Sequence, residues 1–146
     1  MRKEAAPLKM RAFDLEDLSV LSSMVQDALA PAGDMIYLAD EQRFLIALNR
    51  FRWEVAGDFP PFSRTHSGLR FDSVTKVERR NMPKDDRDRM LSLLSIAYHD
   101  DTVMLTFSGD AALRLTVEKL AVGLEDLGEA WPTQWRPEHR PDDATD

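Results

Sequence analysis

GDMIYLADEQRFLIALNRFRWE, residues 33–54, reads as a short strand, a polar turn at Ala39–Gln42 and an unusually long second strand. On that second strand Phe44, Ile46 and Leu48 share one side. Beyond them the apolar residues change parity, because Asn49, Phe51 and Trp53 alternate with Arg50, Arg52 and Glu54. A side-chain period of two changes phase only at an extra residue or a sharp bend. The pattern therefore predicts a bulge or corner near Leu48–Asn49, where one strand passes from one sheet surface to another. The expectation is architectural and names no chemistry.

The rest of the chain fits a small β-rich domain. Its 146 residues suffice for one core, and 43% hydrophobic with 31% charged residues is ordinary for a folded cytosolic protein. No cysteine is present, which excludes disulfides, thiolate catalysis and cysteine-bound zinc. The apolar run Phe44–Leu48 is too short to span a bilayer, and Met1–Lys9 has no apolar signal-peptide region, so a cytoplasmic location is expected. A formal net charge of -7 argues against nucleic acid as the partner. The charges are segregated: residues 14–42 hold seven acids and no Lys or Arg, whereas residues 64–80 hold five cations against two acids.

Read in order, Leu8–Phe13 alternates as an edge strand, and Asp14 is the N-cap of an amphipathic helix of roughly four turns carrying Leu15, Leu18, Leu21, Met24 or Val25, and Ala28 or Leu29. Val55–Gly68 reads as a Pro-containing loop pinned by Phe59 and Phe62, and Leu69–Arg79 as the next strand. After the polar connection Asn81–Arg89, the nearly continuous apolar run Met90–His99 predicts a central strand. Two further strands, through Val103–Phe107 and Leu113–Val117, complete a meander. Leu120, Leu124 and Leu127 form a stripe that predicts a last helix, capped by Thr116 and stopped by Gly128. Trp131, with Trp135, is expected to fold back on the core. The expected fold is thus α+β, a strongly bent antiparallel sheet or partly open barrel of about seven strands with one helix in the N-terminal half and one at the C-terminus. Residues 1–136 would form one globular domain and 137–146 a disordered acidic tail. In its second half this element order resembles the pleckstrin-homology superfold.

QDAL (Gln26–Leu29), LNRFRWE (Leu48–Glu54), GLRFDSV (Gly68–Val74), LLSIAY and TFSGDAALRL together resemble a family of small alphaproteobacterial domains of unknown function, over about residues 8–137. The resemblance implies a bacterial, cytosolic, single-domain protein and carries no catalytic residues.

Candidate chemistry is sparse. His66, His99 and His139 stand in no metal-ligand spacing, and His99-Asp100-Asp101 fits a hairpin turn better than a cation site. There is no nucleophile-elbow, phosphate-loop or dinucleotide glycine pattern, and no metal or cofactor is expected. The strongest pattern is cationic: Arg50 and Arg52 share a strand face, and Arg70 on the next strand could join them as a guanidinium cluster for carboxylate or phosphate, with His66 nearby in the loop; the plainer alternative pairs these arginines with Glu54, Asp72 or the acidic first helix on an ordinary sheet surface. Two readings follow. The first is a non-enzymatic interaction module that binds a protein partner, or itself, through a sheet face or edge. The second is a protein that binds, or an enzyme that acts on, a small anionic ligand through Arg50, Arg52 and Arg70. A deep polar pocket beside the Phe59–His66 loop would favour the second, and a flat apolar or basic patch the first.

Overall fold

The computed structural model describes residues 7–137, which hold eleven strands and one α-helix. In chain order these are β1 (Lys9–Ala12), α1 (Leu15–Met24), β2 (Leu29–Pro31), β3 (Met35–Leu38), β4 (Arg43–Phe51), β5 (Phe62–Phe71) and β6 (Val74–Arg80). They continue as β7 (Met90–His99), β8 (Thr102–Phe107), β9 (Ala112–Val117), β10 (Val122–Asp126) and β11 (Trp131–Thr133). Every pairing is antiparallel. The strands run β1-β10-β5-β4-β2-β7-β8-β9-β6, with β3 against β4 and β11 against β5, and the two ends of the path do not pair. The open antiparallel sheet is as expected; the number of strands and of helices is not.

Two neighbouring ribbons turn corners side by side. β5 passes into β6 through Asp72 and Ser73, the latter at φ 58°, and β9 passes into β10 through residues 118–121. The corners bond to each other: Asp72 N–H donates to the Ala121 carbonyl at 2.9 Å, and Glu118 N–H to the Ser73 carbonyl at 3.0 Å. The expected strand Leu69–Arg79 is therefore two strands meeting at a corner. In the buried core Phe44, Phe71 and Val122 align across three strands and Ile96, Leu105 and Leu113 across three others. Asp14 caps α1 by accepting from Asp17 N–H at 2.8 Å, and the helix packs on β1 and β7 through Leu18 and Leu21.

Four expectations are corrected. The helix α1 stops at Met24, short of four turns, because the Ala28 carbonyl is bonded by Leu93 N–H and Leu29 opens the narrow strand β2 between β4 and β7. The second half of the expected Val55–Gly68 loop belongs to β5, which pairs with β4 from Phe44↔Phe71 to Phe51↔Arg64; Phe62 is buried there, whereas Phe59 is 82% exposed. The C-terminal helix is strand β10. Val122, Leu124 and Asp126 alternate inward against β5, while Leu127 turns outward, so Leu120 and Leu124 satisfy both periods and Leu127 fits only the helical one. With that helix gone, the likeness to the pleckstrin-homology plan loses the element on which it rested.

The fourth correction concerns the phase of β4. Its register with β5 runs without a break through Leu48–Asn49, so the strand has no bulge there. The inward series continues as Phe44, Ile46, Leu48 and Arg50, all buried. Phe51 is buried from the other side, by Trp53 and Phe62 with ring centroids 4.7 and 5.5 Å away. Register shifts do occur elsewhere, in β6 between Val74 and Lys76 and in β7 between Leu93 and Ser95. Trp131 returns to the sheet as part of β11, Trp135 is 81% exposed, and the tail expected to be disordered lies outside the described residues except for Pro137.

Candidate functional site

The four residues that composition and alternation single out do not converge. Leu45 stands opposite Arg70, and Arg50 opposite Thr65, so the two arginines lie five positions apart along the ladder, about 17 Å at 3.4 Å per residue. They also occupy opposite faces, Arg50 inward and Arg70 outward. Arg52 has left the strand: it is buried, its N–H bonds the Ser63 carbonyl and its guanidinium the Ser63 hydroxyl at 3.2 Å. His66 is exposed on the outer face of β5, with its ring 4.8 Å from that of Trp131. His99-Asp100-Asp101 is a hairpin turn, with both aspartates at positive φ, and no metal-binding cluster occurs among the described residues.

Arg50 is 0% exposed, and two carboxylates enclose it. Its Nε and Nη2 donate to the two oxygens of Asp126, both at 2.8 Å, while Nη1 and Nη2 donate to Glu54 at 2.9 and 2.7 Å. The fifth N–H points to the Phe51 carbonyl at 3.4 Å, so every donor of the fork is engaged. Asp126 also accepts from the Ser67 hydroxyl at 2.7 Å and the Leu8 N–H at 2.8 Å. Glu54 reaches back because Trp53–Val55 is a 3-10 turn, which folds position i+4 over the strand end. Burial alone would raise the pKa of both acids; the hydrogen bonds and charge of Arg50, with Ser67 and the Leu8 amide at Asp126, outweigh it and hold both below the ordinary carboxylate value. Burial would likewise discharge Arg50, but the two carboxylates raise its pKa instead. The group ties four segments together: β1 through Leu8, the end of β4, β5 and β10. It is a structural junction with no donor left for a ligand.

Glu54 is one of the acids that the sequence offers as a partner for these arginines, and it does pair with Arg50; Asp126 is absent from the sequence-based candidates. The signal that could have found the junction is parity: Arg50 continues the 44-46-48 series, and Asp126 continues 122-124.

The outer face of the same sheet carries a different arrangement. Arg11, Gly123, Arg70 and Leu45 form one row across β1, β10, β5 and β4, and Lys9, Glu125, Gly68 and Ala47 form the next. The two glycines leave a trough of about 220 Å³, walled by Leu45 and Leu127 and rimmed by Lys9, Arg11 and Arg70 against the single acid Glu125. A Cβ on Gly123 would stand 3.3 Å from the Arg70 guanidinium, tighter than most such contacts, so the glycine lets that side chain lie across β10. Arg70 is 37% exposed, and its Nε lies 3.3 Å from an Asp72 oxygen without hydrogen-bonding geometry. A larger trough of about 490 Å³ between α1 and β7 is lined by Ser19, Ser22, Ser23 and Gln26 against Leu94, Ala97 and Tyr98, with no charged group in its wall.

No curated protein and no solved structure matches the chain. A family described as "protein of unknown function", DUF2948, matches residues 8–139, which is nearly the whole chain and the same stretch over which the quoted segments carry the resemblance. The chain belongs to the DUF2948 family.

Proposed function

We propose that this is a non-enzymatic, cytosolic bacterial module that binds a protein partner through the outer face of β1, β10, β5 and β4. The observation that carries the reading is the glycine-floored trough rimmed by Lys9, Arg11 and Arg70. Its size favours side chains of a macromolecule, since small-molecule sites usually enclose about 300–1,000 Å³. Its charge is set against the chain's net -7, so three cations around one depression are a local departure that an acidic partner would complement. The small-anion reading required Arg50, Arg52 and Arg70 to meet, and Arg50 is engaged by Asp126 and Glu54 on the opposite face.

The test is affinity capture from native cytosol with quantitative mass spectrometry, using the full chain, Arg11→Glu, Arg70→Glu and a control reversal at Arg114, a half-exposed position on β9. A partner should be recovered with the full chain and the control, and fall by about tenfold or more with either trough variant, the equivalent of about 1.4 kcal/mol. Recovery should also weaken with salt, as expected for exposed charges. Equal recovery by the trough variants would remove the reading.

A further inference from the structure

Resting on the reading of that face as a docking surface, we propose that the partner segment is an extended acidic strand that adds antiparallel to the free edge of β1, its carboxylates seated on Lys9 and Arg11. The strand path ends at β1: among the described residues its one strand neighbour is β10. The parity of the ladder then decides what the open edge offers. Asp126 N–H donates to the Leu8 carbonyl at 2.9 Å, which makes Leu8 and Asp126 a hydrogen-bonding pair. In an antiparallel ladder such pairs recur every second residue. Met10 and Ala12 therefore bond to β10, and the N–H and C=O groups of Lys9 and Arg11 turn to the free edge.

Side chains obey the same alternation. Ala12 is buried and Met10 packs on the core, while Lys9 and Arg11 are exposed on the trough face. The two residues whose backbone is open are thus the two whose cations face the trough. An added strand placing acids opposite them would set opposite charges on directly paired positions, the favourable cross-strand arrangement. Arg70 stands beyond Gly123 in the Arg11 row, with no intervening side chain, so a carboxylate at that position meets a second guanidinium. A second copy of this chain fits poorly, because pairing β1 with itself would bring Lys9 and Arg11 against their own like charges, a common guard against edge-to-edge association. Antiparallel addition continues a sheet in which every pairing is antiparallel.

The probe is a capped octapeptide alternating Glu and Thr, titrated into the isotope-labelled full chain by nuclear magnetic resonance. Binding should slow amide exchange at Lys9 and Arg11 while moving the Gly68 and Gly123 signals. N-methylation at the glutamates, whose N–H groups face β1, should weaken binding by about tenfold or more, and the same change at the threonines should have little effect. Arg11→Glu and Lys9→Glu, checked for unchanged amide dispersion, should each abolish the response to the Glu peptide. A peptide that binds the trough equally well with methylated glutamates, or leaves Lys9 and Arg11 exchange unaltered, overturns strand addition but not the docking surface. No response at β1 or the trough also overturns it. The docking surface itself fails separately, when charge reversal at Arg70 leaves partner capture intact.

Discussion

Arg50→Ala is expected to destabilise the fold by about 3–5 kcal/mol, measured by denaturant unfolding, because it leaves two inward-facing carboxylates without their cation. Against a total stability of about 5–15 kcal/mol for a domain, that is enough to leave much of the protein unfolded. The loss would come chiefly from stranding Asp126, whose side chain is 3% exposed, and less from Glu54, which is 20% exposed and can rehydrate. A compensated triple variant, Arg50→Met with Asp126→Leu and Glu54→Gln, separates the worth of the pair from the penalty of breaking it. Replacing a whole buried ion group with apolar residues is often neutral or stabilising, so this variant should recover most of the loss. A cost below about 1 kcal/mol for Arg50→Ala would show that the junction does not hold its four segments.

The same junction sets an acid limit. Asp126 and Glu54 both titrate below their ordinary values in the folded chain. Their contribution is therefore fully present above the unfolded values of roughly 3.9 and 4.3, and is lost as pH falls through the lower folded values. Stability should be flat with respect to these two groups above about pH 5 and decline below it, and the compensated variant should decline less steeply. A profile that falls as steeply in that variant would place the acid sensitivity elsewhere.

Leu105→Ala carries the second large effect, about 2–5 kcal/mol, with a fall in melting temperature on the order of 10 °C. Leu105 is 0% exposed on β8, between Ile96 on β7 and Leu113 on β9, so truncation opens a void in a row bounded on both sides. Flanking strands bonded along their length resist collapse into it. A change near zero in a denaturant melt would mean that the row can repack.

Much of the architecture was legible because alternation survives wherever one sheet face is apolar. Leu105, Phe107 and Leu115 are buried as their spacing requires, Leu93 and Ile96 are both buried because the register of β7 shifts between them, and the β7–β8 turn falls at Asp100–Asp101. Misreadings fall where two periods coincide or where an inward position is polar. Leu120, Leu124 and Leu127 satisfy a helix, but the inward strand set is Val122, Leu124 and Asp126. At Arg50 an ionised side chain occupies a core position, and alternation judged by polarity reads that as a change of face. Pairing across 76 residues is what makes the position tolerable, and a local pattern does not contain it. The trough was hidden for a related reason. Gly68 and Gly123 meet Arg70 and Arg11 only through the registers of β5, β10 and β1, and strand neighbours that far apart in sequence leave no local trace.

The wide sequence span of the junction has a consequence during synthesis. Arg50 is made 76 residues before Asp126, and Leu8 precedes it by 118. At about 5–20 residues per second, a ribosome needs about 4–15 s to supply the missing carboxylate after the arginine, and about 6–24 s to supply the partner of Leu8. Throughout that interval β1 has no strand neighbour, β5 lacks β10 along one edge, and Arg50 cannot enter the core fully paired. The growing chain therefore passes through lengths at which the meander can assemble while the other half of the sheet waits, with apolar strand edges open to chaperones.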